Sequence, residues 1–134
     1  GKGQVLRDGR DLTIIACGVE VSRALTASEQ LKAEGIRARV VNMPTIKPID
    51  TALIQKCSRE TGAIFTAEAH NIYGGLGGAV AEALAATTPC PMEFVGVKDV
   101  FGASGEPDEL AEHFGISASH IAEAARTVLK RKRK

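Results

Sequence analysis

The densest run of chemically capable residues in this chain is Glu68-Ala69-His70-Asn71-Ile72-Tyr73-Gly74-Gly75-Leu76-Gly77-Gly78. A carboxylate, an imidazole and a carboxamide stand close together, and glycines follow. Where such a run ends a strand and opens a helix, backbone N–H groups gather at a positive helix end that favours an anion. Two chemistries follow: a phosphate or carboxylate site built on Gly74 and Gly75, or acid–base work by Glu68 with His70. A third role is architectural. The glycines then permit positive φ and close helix–sheet packing, while Glu68, His70 and Asn71 pin the turn or face a partner. The spacing is neither G-x-G-x-x-G nor G-x-x-x-x-G-K-[ST], so the chain carries no nucleotide fingerprint here.

Other segments offer less. Thr45-Ile46-Lys47-Pro48-Ile49-Asp50 joins a rigid proline to a helix cap, and Lys47 is either an anion-binding cation or part of a structural connection. Asp99-Val100-Phe101-Gly102-Ala103-Ser104-Gly105 is a polar loop around one Phe, read as an interface loop because no G-x-S-x-G elbow surrounds Ser104. Cys17, Cys57 and Cys90 are odd in number and lack C-x-x-C spacing, which argues against a disulfide framework or a zinc site. They are expected to be buried, inert thiols in a reducing cytosol, which gives a cytoplasmic location. His113 and His120 are expected at the surface and lack metal-ligand spacing with His70. A hydrolase using Cys17 or Ser104 would lack a base. No metal-ligand spacing is found among these residues.

The elements that would hold these residues alternate. Residues 12–16 form a short β-branched run ending at Gly18, read as a strand buried on both faces. Residues 21–34 carry apolar positions at helical spacing, with Gly35 as the stop. The unit recurs: a strand at 38–42, a helix from the cap Asp50 to about Thr61 closed by Gly62, and a strand at 63–67. A helix at 79–86 stops before Pro89, and a strand at 92–97 follows. Pro107 suits the first turn of a short helix to Phe114, and residues 118–129 make a last helix. Residues 4–7, entering the Asp8-Gly9 turn, read as an added edge strand. Alternating strands and helices with right-handed crossovers give an α/β fold, a three-layer α/β/α sandwich on a mostly parallel sheet of about five strands. In such sheets ligands gather beyond the carboxyl ends of the strands. That rim would hold Gly18, Glu20, Thr45, Lys47, Asp50, Glu68, His70, Asn71, Asp99, Ser104 and Glu106.

A chain of 134 residues accommodates one domain. Lys+Arg 17 against Asp+Glu 16 leaves a formal net charge of +1, which gives no global pull toward nucleic acid or an anionic membrane. No apolar run approaches the ~20 residues of a membrane span. There is no internal repeat, and the Lys130-Arg131-Lys132-Arg133-Lys134 run reads as a solvated tail at a helix C-terminus. The start at Gly1-Lys2-Gly3 without Met suggests a piece of a longer polypeptide, or a processed or tagged start.

Taken in order, these segments resemble the C-terminal domain of transketolases. The similarity runs from Gly1-Lys2-Gly3 through Asp11-Leu12-Thr13-Ile14-Ile15-Ala16-Cys17-Gly18, then Thr45 to Asp50, Glu68 to Glu82 and Asp99 to Leu110. Gly115-Ile116 and Ile121 continue it, so residues 1–129 form the domain and 130–134 a basic tail outside it. Each motif alone is modestly specific; the ordered combination is what identifies the family. The resemblance implies a mixed sheet with one antiparallel edge strand, a role that falls to residues 4–7.

It further implies an enzyme, homodimeric or split between subunits, that transfers two-carbon ketol units between sugar phosphates with thiamine diphosphate and a divalent metal. In that family the cofactor lies between two preceding domains, which also supply the glutamate that activates the aminopyrimidine. No catalytic residue therefore carries over. Glu68, His70, Asn71, Gly74, Gly75, Lys47 and Asp99 become candidates for domain contact or a small ligand. The implied partners are other domains or subunits of the transketolase, with a homo-oligomer of the complete enzyme. The C-terminal domain of 1-deoxy-D-xylulose-5-phosphate synthase shares much of the layout, though Gly102-Ala103-Ser104-Gly105 and His70-Asn71 look closer to transketolases. A stand-alone phosphate or effector module is the alternative from a different class.

Overall fold

Alternation along the strands divides the apolar side chains between two layers. The computed structural model describes residues 2–44, 46–71, 75–97 and 116–132. In β2 (Leu12–Ala16), Leu12, Ile14 and Ala16 enter one core cluster and Ile15 the other, as the period of two in a pleated strand requires. The same alternation puts Val40 of β3 (Ala38–Asn42) and Phe65 of β4 (Ile64–Asn71) in the first cluster, with Val41 and Ile64 in the second. The first cluster is closed by α1 (Glu20–Ala33) and α4 (Ala118–Lys132), through Ala24, Leu31, Ile121 and Val128. The second is closed by α2 (Thr51–Thr61) and α3 (Leu76–Ala86), through Ile54, Leu76, Val80 and Leu84.

The described strands form one five-stranded sheet in the order β1-β3-β2-β4-β5, where β1 is Gln4–Arg7 and β5 is Met92–Val97. All neighbours are parallel except β1 and β3, which pair antiparallel with Gln4 opposite Asn42. This is the expected three-layer arrangement with its antiparallel edge strand.

Helix ends follow local chemistry. Asp50 caps α2, its Oδ1 accepting from the Leu53 amide at 3.2 Å, and its Oδ2 also accepts from the Gly3 amide at 3.0 Å. Gly62 ends α2 in the left-handed region at φ 72°, its amide donating to the Ser58 carbonyl.

Three boundaries differ from the sequence reading by more than one residue. The fourth strand runs to Asn71 rather than stopping at Ala67, with a register shift between Ala67 and Asn71 against β5. The apolar run ends at Ala67, but a buried polar residue, Glu68, carries the strand onward. The third helix begins at Leu76 rather than Ala79, because that same Glu68 holds its first amides. The last helix continues to Lys132, so Lys130, Arg131 and Lys132 form its final turn, where cations suit the helix dipole. Arg131 pairs with Glu93, and Lys132 Nζ donates to the Asp11 carbonyl at 2.9 Å. The predicted helix from Pro107 to Phe114 lies outside the described residues. No helix among the described residues is long and apolar enough to cross a membrane.

Candidate functional site

The chain leaves β2 toward the α1 layer and leaves the neighbouring β4 toward the α3 layer. Their carboxyl ends therefore flank the switch point of the sheet, the crevice in which open α/β folds hold ligands. Beside it stand two fully buried carboxyl groups and a thiol: Glu68 in the carboxyl half of β4, Glu20 at the start of α1, and Cys17 just after β2.

Glu68 is held by the backbone. Its Oε1 accepts from the Leu76 amide and its Oε2 from the Gly77 amide, each at 2.8 Å. Those are first-turn donors of α3, which have no partner within the helix. The anion at this helix N-terminus is thus the protein's own carboxylate, placed where the dipole favours negative charge. Gly77 lets the helix sit close to the sheet. A Cβ there would lie 2.5 Å from the Phe94 ring and 3.0 Å from Thr66 Oγ1.

Glu20 is held less completely. Its Oε1 accepts from Arg23, while its Oε2 is buried with no hydrogen-bond partner among the described residues. Burial pushes the Glu20 pKa up, and Arg23 opposes the shift without cancelling it. Cys17 is half-buried and close enough to feel both charges. Burial raises its thiol pKa, and the charges of Glu68 and Glu20 raise it further, so it stays protonated and unreactive. Cys57 is buried as expected, whereas Cys90 is half-buried, its pKa also raised chiefly by burial.

Lys47 is exposed on the loop before α2. It shares with Gly75 the lining of a cleft of about 660 Å³ between that loop and the outer flank of α3. The structure brings these two candidates together along one wall-to-wall groove and separates them from Glu68, which points inward beneath. His70 and Asn71 end β4 on the carboxyl rim, and their side chains lie outside the description. Gly74, Asp99 and Ser104 also lie outside the described residues. His120 lies in α4, with Nδ1 2.7 Å from Ser117 Oγ.

Sequence reasoning passed over Arg39. It sits near the start of β3, at the amino end of the sheet, with its side chain only 6% exposed. Nε donates to Asp8 at 2.9 Å, Nη2 to Glu60 at 2.7 Å, and Nη1 approaches Cys57 Sγ at 3.8 Å. Burial disfavours its charge, yet Cys57, Glu60 and Asp8 outweigh that and raise its pKa. The available signal was an arginine inside the apolar run Ala38-Arg39-Val40-Val41, where a charge must find partners to be buried.

A family model described as transketolase, C-terminal domain, matches residues 1–121. The chain belongs to the transketolase C-terminal domain family. Among curated relatives, the 6-deoxy-6-sulfo-D-fructose transketolase subunit of Clostridium sp. (strain MSTE9) is 46% identical over 132 residues, covering 98% of this chain and 41% of that protein. The 1-deoxy-D-xylulose-5-phosphate synthase of Heliobacterium modesticaldum is 43% identical over 127 residues, covering 94% of this chain and 20% of that protein. A solved split-gene transketolase, described as an inactive β4 tetramer, superposes with a TM-score of 0.95 at 48% identity, covering 98% of this chain and 43% of that one. The chain therefore spans less than half the length of these relatives.

Complete transketolases belong to a thiamine diphosphate enzyme family, and the residues described here do not fit that cofactor. The helix-end amides that would suit a diphosphate, those of Leu76 and Gly77, are already bonded to Glu68. A second anion beside Glu68 would meet like charge in a buried crevice. Among the described residues no group of three His, Cys, Asp or Glu side chains is placed to hold a divalent metal.

Proposed function

We propose that this chain is the accessory C-terminal domain of a cytoplasmic, thiamine diphosphate-dependent transketolase that moves two-carbon ketol units between sugar phosphates. It contributes assembly or regulation and no catalytic residue. The observation that carries this reading is at the switch point, where open α/β sheets bind ligands: the first amides of α3 are already bonded to the chain's own Glu68. Similarity to proteins named as a transketolase subunit and as a split-gene transketolase supports association with further subunits. The carboxyl rim, where β4 ends at Asn71, is the surface we assign to the remaining domains.

The test is reconstitution. The chain alone should show no ketol transfer and no calorimetric binding of thiamine diphosphate with magnesium. Mixed with the complementary cofactor-binding portion of a split transketolase, it should co-sediment and restore activity. Turnover of sugar phosphates by the isolated chain would overturn the accessory reading.

A further inference from the structure

Glu20, where α1 starts at the carboxyl end of the sheet, is fully buried and only half answered. Its Oε1 accepts from Arg23, and its Oε2 has no hydrogen-bond partner among the described residues. The large majority of buried side-chain polar atoms in folded proteins are paired, because an unpaired one gives up its bond to water and gains nothing in return. Protonation does not cure the deficit. As a carboxylate Oε2 lacks a donor, and as an acid its O–H would lack an acceptor. Thr66 Oγ1 shares the condition, but it is neutral and lies against Gly77, between β4 and α3.

The surroundings of Glu20 are short of cations. Cys17 feels the charges of Glu20 and Glu68 together, so the two carboxyl groups share one neighbourhood. Backbone amides hold Glu68, and Arg23 alone pairs with Glu20. Among the described residues the local count is therefore two carboxyl groups against one guanidinium, a balance that a further cation would complete.

The turn Cys17-Gly18-Val19 leads directly into Glu20 and is uncovered. Val19 is 62% exposed, and a Cβ added at Gly18 would meet nothing within 4 Å. Gly18 holds φ 60°, and with no side chain it gives the turn freedom to shift. The relatives that this chain matches carry more than half their length outside the matched region, so they have polypeptide to lay over such a turn.

We propose that Glu20 is the docking acceptor of the carboxyl rim. The cofactor-binding portion of the enzyme covers Val19 and places a cationic N–H donor, from an arginine or lysine side chain, on Glu20 Oε2. The donor enters as the Gly18 turn gives way. This rests on the accessory role proposed above and names the residue and the chemistry of the contact.

The test measures docking of the 134-residue chain to the complementary cofactor-binding portion of a split transketolase, by calorimetry at low and high salt. Wild type should dock, more weakly as salt rises. Glu20→Gln keeps the acceptor for Arg23 but sets an NH2 donor against the partner's donor. It should weaken docking by about tenfold or more and flatten the salt dependence. The same variant should unfold in urea at or above the wild-type midpoint, because a buried charge is gone. Docking lost while stability is kept is a split that a merely structural glutamate would not produce. Val19→Lys, at an exposed position that folding tolerates, should also weaken docking by about tenfold, since it sets cation against cation. Variants that dock and restore ketol transfer as wild type does would overturn this inference alone. If Glu20→Gln fails to fold, Val19→Lys decides, and wild-type affinity in that variant overturns it. A wild-type chain that never docks overturns the accessory role and this contact together.

Discussion

At the amino end of the sheet a buried cation, Arg39, is held by carboxylates that reach in from the surface; at the carboxyl end a buried anion, Glu68, is held by backbone amides that cannot leave. Asp8 is 79% exposed and Glu60 43% exposed, so either can turn to water if the guanidinium is removed. The amides of Leu76 and Gly77 are fixed in the first turn of α3, and both residues are buried, so they have no such escape. Two buried charges with good hydrogen bonds should therefore differ in what their loss costs. The cost of breaking a buried polar contact is set mostly by the group left behind. Glu20 makes a third case: it is as buried as Glu68, but one oxygen lacks a partner among the described residues.

The largest expected effect comes from Glu68→Ala. Leaving two buried amides unsatisfied should lower unfolding free energy by ~3–5 kcal/mol in urea titration. Glu68→Gln keeps one acceptor oxygen and should fall about midway between that variant and wild type. The contrast breaks if Glu68→Ala unfolds at the wild-type midpoint. Arg39→Met comes next: it keeps the apolar stem and frees Asp8 and Glu60 to hydrate, so a loss of only ~1 kcal/mol is expected. A loss matching that of Glu68→Ala would show that escape to solvent is not the deciding factor.

The smallest effect should come from Glu20→Gln, and its sign depends on pH. Folding raises the Glu20 pKa above its ordinary value of 4.5, so between that value and the raised one the folded state binds more protons than the unfolded. Stability contributed through this group is therefore present at low pH and lost as pH rises through the folded value. Glu20→Gln removes the titration. It should unfold at a higher urea concentration than wild type at pH 8, by on the order of 1 kcal/mol, with the gap closing toward pH 4. A gap that widened on acidification would show that Arg23 dominates over burial.

Much of the fold was legible because its determinants are local. The alternation of short β-branched runs with helical spacing, Asp50 before α2 and Gly62 after it, and the ordered family motifs all sit within a few residues of the features they specify. The extension of β4 and the early start of α3 were not legible from the apolar pattern. Both depend on a glutamate bonding across eight positions to a helix it precedes. The glycine run was read either as an anion site or as an architectural turn, and composition alone offers no way to tell an internal carboxylate on the helix amides from a ligand.

By itself, then, the sequence determined the layer order, the edge strand, the helix caps and the family, since periodicity, turn chemistry and motif order are properties of neighbouring residues. The tertiary structure alone decided which charges are buried and who answers them. Arg39 meets Asp8 across 31 positions, Lys47 comes to face Glu82 across one cleft, and Glu20 is buried with one oxygen unpartnered among the described residues. The energy of a charge depends on the dielectric and the dipoles around it, and those are supplied by segments far away along the chain.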